Sequence, residues 1–136
     1  MNSTENLFYA LGEFAFAVAL ADGKIQKEEN DELHNILAQE FKNQEYDYSE
    51  IIFEILRKDE LGKVQDTYNW ALKELKLNSH YLSPEMKQKF VRVIEKVAEV
   101  FPPTTLEEAA IIEKFKQDIG KLKGDPIYYA QHQISK

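Results

Sequence analysis

Between Leu7 and Ala21 the chain carries one charged residue, Glu13, and apolar or small residues occupy every face of a helix drawn through the run. A helix that is apolar all round must be enclosed, either by lipid or by other helices. The run is shorter than the roughly 20 apolar residues that a membrane span needs. It also lacks the basic segment that opens a signal peptide. The reading is therefore a buried hub, and the rest of the chain must supply the helices around it. Gly12 and the alanines at 10, 15, 17, 19 and 21 are small enough to let those neighbours approach closely.

The remaining sequence has the required periodicity. Ser3 or Thr4 caps the first helix, since a side-chain oxygen there accepts an orphan backbone N–H. Asp22-Gly23 ends it, because Gly just past a helix adopts positive φ without a Cβ clash. Ile25 turns back to the core. A second helix from about Lys27 to Lys42 carries Leu33, Ile36, Leu37 and Phe41 on one face. The polar segment Asn43 to Asp47 reads as a loop, and Asp47 with Glu50 as a capping box for a third helix with Tyr48, Ile51, Ile52, Ile55 and Leu56 inward.

After a break at Gly62, a fourth helix carries Val64, Tyr68, Ala71, Leu72 and Leu75, with Trp70 off the stripe. Ser83-Pro84-Glu85 is a helix start in cap, φ and charge. The fifth helix has the cleanest pattern, Met86, Phe90, Val93, Ile94, Val97 and Phe101, and Pro102-Pro103 ends it. Thr104 and Glu107 open a sixth, with Leu106, Ile111, Phe115, Ile119 and Leu122 inward. Gly124-Asp125-Pro126 is a turn.

No linker divides these elements. The prediction is an all-α chain: a single-domain bundle of six to seven helices over residues 1–126, with 127–136 as a tail or short docked helix. A gap-free pairing of Ala19–Leu37 with Val97–Phe115 sets Glu29 against Glu107, Leu33 against Ile111 and Leu37 against Phe115. This is either a helix-pair duplication whose second copy lost the Asp-Gly turn, or a chance match of amphipathic helices.

Twenty-four acidic residues against seventeen basic ones give a net charge of −7, which disfavours nucleic-acid binding, because that binding rests on Lys and Arg at phosphates. With no cysteine, disulfides, thiolate zinc sites and cysteine nucleophiles are excluded. The expected compartment is the cytoplasm, and no membrane span is expected.

The run Ala19-Leu20-Ala21-Asp22-Gly23-Lys24-Ile25, followed by Glu28, Glu29 and Leu33, resembles the TerB family of tellurite-resistance and related proteins. That pattern is an alanine-rich helix, an Ala-Asp-Gly turn, a hydrophobic residue two positions on, and acids opening the next helix. The likeness covers the first third of the chain. Family members often repeat the Asp-Gly turn in the second half, where this chain has Glu99-Val100-Phe101-Pro102. The resemblance implies a compact helical domain, a non-catalytic module of stress response or membrane-associated assemblies, and a capacity for divalent metal.

Glu28, Asp31 and Glu32 stand at i, i+3 and i+4 and share a helix face above Asp22. Like charges so placed call for a cation or a basic partner, or are a solvated helix start relieved by the macrodipole, Lys24 and Lys27. An EF-hand is rejected: with Gly23 as the sixth loop position, the first and third would be Val18 and Leu20, which cannot ligate. The favoured function is a non-enzymatic interaction module that meets a protein partner through Asp22, Gly23, Glu28, Glu29, Asp31 and Glu32. The alternative is weak Ca²⁺ or Mg²⁺ binding by Asp22, Glu28, Glu29 and Glu32. No cofactor is required in the first case.

Asp31 and His34 have the i, i+3 spacing of a di-iron motif, but no second pair exists. His34, His80 and His132 therefore read as isolated. Glu13 reads as reaching solvent or a basic neighbour, with a pocket-facing carboxylate as the alternative. Lys89, Arg92 and Lys96 read as a solvated stripe balanced by Glu85, Glu95 and Glu99. No hydrolase or phosphate-loop motif is present.

Overall fold

The computed structural model describes residues 2–21, 27–41, 43–59, 64–100 and 106–134. These form seven α-helices and one 3-10 turn, with no strand among the described residues: α1 (Ser3–Ala21), α2 (Lys27–Glu40), α3 (Asn43–Asp59), α4 (Val64–Leu77), the 3-10 turn Ser79–Tyr81, α5 (Pro84–Val100), α6 (Leu106–Lys121) and α7 (Pro126–Ile134). The all-α bundle expected from the sequence is what the chain forms. The predicted helix-ending residues Asp22, Gly23 and Gly62 and the box residue Thr104 lie outside the described residues, as does Phe101.

Helix α1 is the hub. It touches α3, α4, α5, α6 and the 3-10 turn, and Leu7, Phe8, Ala10, Leu11, Phe14, Ala15, Phe16, Ala17, Val18 and Ala19 are all buried. Its aromatic residues meet those of the surrounding helices edge to face. Phe8 packs on Phe41 and Phe90, each with ring centroids 5.4 Å apart, and Phe14 on Tyr68 at 5.2 Å and Phe115 at 4.7 Å. Such offset geometry suits the ring quadrupoles. The cap of α1 is Asn2, not Ser3 or Thr4: its Oδ1 accepts from Glu5 N at 2.8 Å.

Gly12 allows α3 to come close to α1. A Cβ there would meet Ile52 Cγ2 and would lie 2.6 Å from Ser49 O, and Ser49 Oγ donates to Phe8 O at 3.1 Å across the same contact. This crossing corrects the expected third helix. Helix α3 begins at Asn43, so 43–47 is helix instead of loop and Asp47 is no cap. Among its described side chains, Ser49, half-buried Ile52 and Tyr48, whose ring lies 5.7 Å from that of Tyr9, face α1, while Ile51 and Ile55 are 45% and 48% exposed.

Helices α4 and α5 follow expectation, with Tyr68, Ala71 and Leu75, then Phe90, Val93, Ile94 and Val97, buried. Ser83 Oγ accepts from Met86 N at 3.1 Å, the predicted cap. In α6 Phe115 and Ile119 are buried, but Leu106 stands in solvent, since it lies at the helix N-terminus ahead of the core-facing stripe. Helix α7 docks on the 3-10 turn: Asp125 N donates to His80 O at 2.9 Å, and the Tyr128 ring packs against His80 and Tyr81.

Two expectations about charge are overturned. Glu13 reaches neither solvent nor a base; it is buried and hydrogen-bonded to the carboxyl of Glu74 on α4. Lys89, Arg92 and Lys96 of α5 reach carboxylates on other helices. Arg92 donates to Glu40 Oε2 at 2.9 Å, Lys96 pairs with the same carboxylate, and Lys89 donates to Glu45 Oε2 at 3.1 Å. These contacts tie α5 to α2 and to the start of α3. No described helix is long and apolar enough to cross a membrane.

Candidate metal centre

Tyr46, Glu50 and Glu54 stand one turn apart on α3, so they form a single stripe. This stripe is distinct from the Ser49–Ile52 side that packs on α1. Helices α2 and α3 are consecutive and in contact. His34 and Glu50 are equally far in sequence from residue 42, and a helical hairpin closed near that point brings such positions together.

His34 Nε2 lies 3.0 Å from Glu50 Oε1 and 3.0 Å from Glu54 Oε1. The imidazole nitrogen and the two carboxylate oxygens all lie within 4.8 Å of one another. The other ring nitrogen, Nδ1, is 3.4 Å from the Tyr46 hydroxyl. Burial raises the Tyr46 pKa, and the charges of Glu50, Asp47 and Glu54 raise it further, so the phenol keeps its proton. His34 is 32% exposed at its side chain, Glu50 15% and Glu54 36%. The group is thus walled by helices on one side and open to water on the other.

One imidazole and two carboxylates can act in two ways. A protonated His34 can bridge the two acids as an ion pair. Alternatively, with Nδ1–H donated to Tyr46, the Nε2 lone pair and the two carboxylates can share a cation. The salt links from α5 to Glu40 and Glu45 brace both helices from outside the group. Glu40 is held below the usual carboxylate range by the Lys96 hydrogen bond, against the upward pull of burial and with help from Arg92.

Asp22 and Gly23 lie outside the described residues, and Glu28 and Glu29 are described only as backbone in α2. Asp31 and Glu32 are exposed on α2. His34 is not isolated, as expected, but the centre of the one described metal-ligating group. The signal in the sequence is the Tyr46-Glu50-Glu54 stripe, which is obscured because Glu50 also fits the second position of a capping box.

Comparison of the chain with protein-family models, with curated proteins and with solved structures returns no match.

Proposed function

We propose that this chain is a non-catalytic, divalent-cation-binding helical module whose protein ligands are His34, Glu50 and Glu54, the ion joining α2 to α3. The observation that carries this reading is the convergence of one imidazole and two carboxylates from two helices, with Glu50 Oε1 and Glu54 Oε1 each 3.0 Å from His34 Nε2 and all three atoms within 4.8 Å of one another. The cation site expected from sequence at Asp22, Glu28, Glu29 and Glu32 is a different set of residues, of which Glu32 alone has a described side chain. The acidic partner surface implied by the TerB resemblance is a separate proposal, and the exposure of Asp31 and Glu32 is what supports it here.

A ligand that prefers the folded state must raise the melting temperature, and at a hundredfold excess over Kd it adds about 2.7 kcal/mol of stability. Melts of the full chain with and without millimolar divalent ions test the reading. The expected result is a rise for at least one ion that disappears in the double variant Glu50→Gln, Glu54→Gln. The absence of a rise for every ion sinks it.

A further inference from the structure

The same three ligand atoms discriminate among cations. Resting on the cation-binding reading, we infer that the His34–Glu50–Glu54 site is built for a borderline transition-metal dication such as Zn²⁺ or Co²⁺, and that the bound ion keeps at least one coordination position open to an exogenous ligand.

The donor set is the first argument. Calcium takes six to eight oxygens and magnesium a near-octahedral shell that it dehydrates reluctantly. Both gain little from an imidazole nitrogen, whereas imidazole suits zinc, iron, nickel and copper. Replacing a central oxygen by His34 Nε2 therefore shifts preference away from the hard ions.

Geometry is the second. Neighbouring ligand atoms around a tetrahedral ion bound at about 2.0–2.2 Å are separated by about 3.3–3.6 Å. The two separations from His34 Nε2 are 3.0 Å each and all three atoms lie within 4.8 Å of one another, so side-chain adjustment of the three residues brings them to that spacing.

The third argument is the support of the imidazole. A metal-bound histidine almost always has its second ring nitrogen hydrogen-bonded, which fixes ring orientation and tautomer. The Tyr46 hydroxyl stands at that nitrogen, 3.4 Å away, on the same α3 stripe as the two carboxylates. Tyr46 is a positioning residue here.

Three protein ligands leave a tetrahedral ion one short, the pattern of sites that keep a water or substrate position. The exposure of His34 and Glu54 puts that position on the solvent side.

The test uses the untagged full chain, whose lack of cysteine keeps thiolate absorption out of the Co²⁺ spectrum. One equivalent of Co²⁺ is expected to give visible d–d bands that Zn²⁺ displaces, with Zn²⁺ bound at least about tenfold more tightly than Mg²⁺ or Ca²⁺. Added azide should alter the Co²⁺ spectrum by entering the open position. Tyr46→Phe should weaken Zn²⁺ about tenfold, and His34→Ala and His34→Gln more. Both His34 variants are first shown to be helical and to melt cooperatively without metal.

Equal affinity for Zn²⁺ and Mg²⁺, or Zn²⁺ binding unchanged in both His34 variants, overturns the transition-metal assignment while leaving cation binding in place. A Co²⁺ spectrum indifferent to azide overturns the open position. Failure of every ion to bind removes this inference together with the reading beneath it.

Discussion

Glu13 of α1 donates a hydrogen bond to the carboxylate of Glu74 on α4, and its Oε1 is buried with no hydrogen-bond partner among the described residues. At the flank of an apolar hub helix this contact favours a protonated Glu13, because burial opposes a charge on it and the charge of Glu74 opposes it again. Both effects push the Glu13 pKa up to about 9.

The consequence for stability has a definite sign. Below about pH 4.5 Glu13 is protonated whether folded or unfolded. Between about 4.5 and 9 the unfolded chain releases a proton that the folded one keeps, so stability falls by up to about 1.4 kcal/mol per pH unit. Above that range the loss is complete. Glu13→Gln keeps a donor toward Glu74 without a titrating proton, and should flatten this slope and be more stable than the parent at pH 8. Urea unfolding of both from pH 5 to 9 measures it, and parallel curves would refute the raised Glu13 pKa.

Tyr68 is held between the core and a charge pair. Its ring is buried against Phe14, its hydroxyl donates to Asp118 Oδ2 at 2.7 Å, and Lys114 both pairs with that oxygen at 2.9 Å and sits 4.4 Å from the Tyr68 ring centroid. Burial, with the Asp118 hydrogen bond, raises the phenol pKa well above the usual tyrosine value. Tyr68→Phe should cost about 1–2 kcal/mol, because the bond to a charged acceptor is lost while Lys114 still satisfies Asp118. In alkaline absorbance titration of the parent, one phenol should ionise only as the chain unfolds.

Glu40 is the junction between α2 and α5. Both Arg92 and Lys96 end on its carboxylate, which is largely buried although the two bases are substantially exposed. Pairs with exposed partners contribute little singly, so Glu40→Gln should lose only about 1 kcal/mol, and less in high salt. The contribution has the opposite pH sense to that of Glu13. The Glu40 pKa is lowered, so its stabilisation is present above about pH 4.5 and fades as pH falls further. Salt-dependent melts of the two proteins at pH 7 and pH 3.5 separate the effects.

These contrasts explain what the sequence discloses. The hub α1 and the stripe Phe90, Val93, Ile94 and Val97 were legible because large apolar residues at a helical period have one low-energy destination. In helix α3 the inward reading holds at Tyr48 and Ile52 but not at Ile51 and Ile55, because part of the contact with α1 is a close backbone approach at Gly12 and Ser49, which needs no large apolar residue. Its isoleucines at 51 and 55 therefore suggested a false inner face. The partners of Glu13 and His34 were illegible for another reason. Glu74, Glu50 and Glu54 come from other helices, and such a pairing appears only once the helices are set side by side.

Gly12 and Gly120 should respond to the same substitution with opposite signs. At Gly12 an added methyl meets Ile52 Cγ2, which a rotamer change can relieve, but it also lies 2.6 Å from Ser49 O, which is backbone. Relief there requires α3 to move away from α1, stretching the Ser49–Phe8 hydrogen bond and loosening the helix that carries Glu50 and Glu54. Overpacking of this kind costs about 1–3 kcal/mol. At Gly120, exposed on α6, an added Cβ meets nothing within 4 Å, so Gly→Ala acts only through helix propensity and should stabilise by about 0.5–1 kcal/mol. Chemical unfolding of both variants is decisive: a Gly12→Ala protein as stable as the parent would mean that α1 and α3 are not in close backbone contact, whatever Gly120→Ala does.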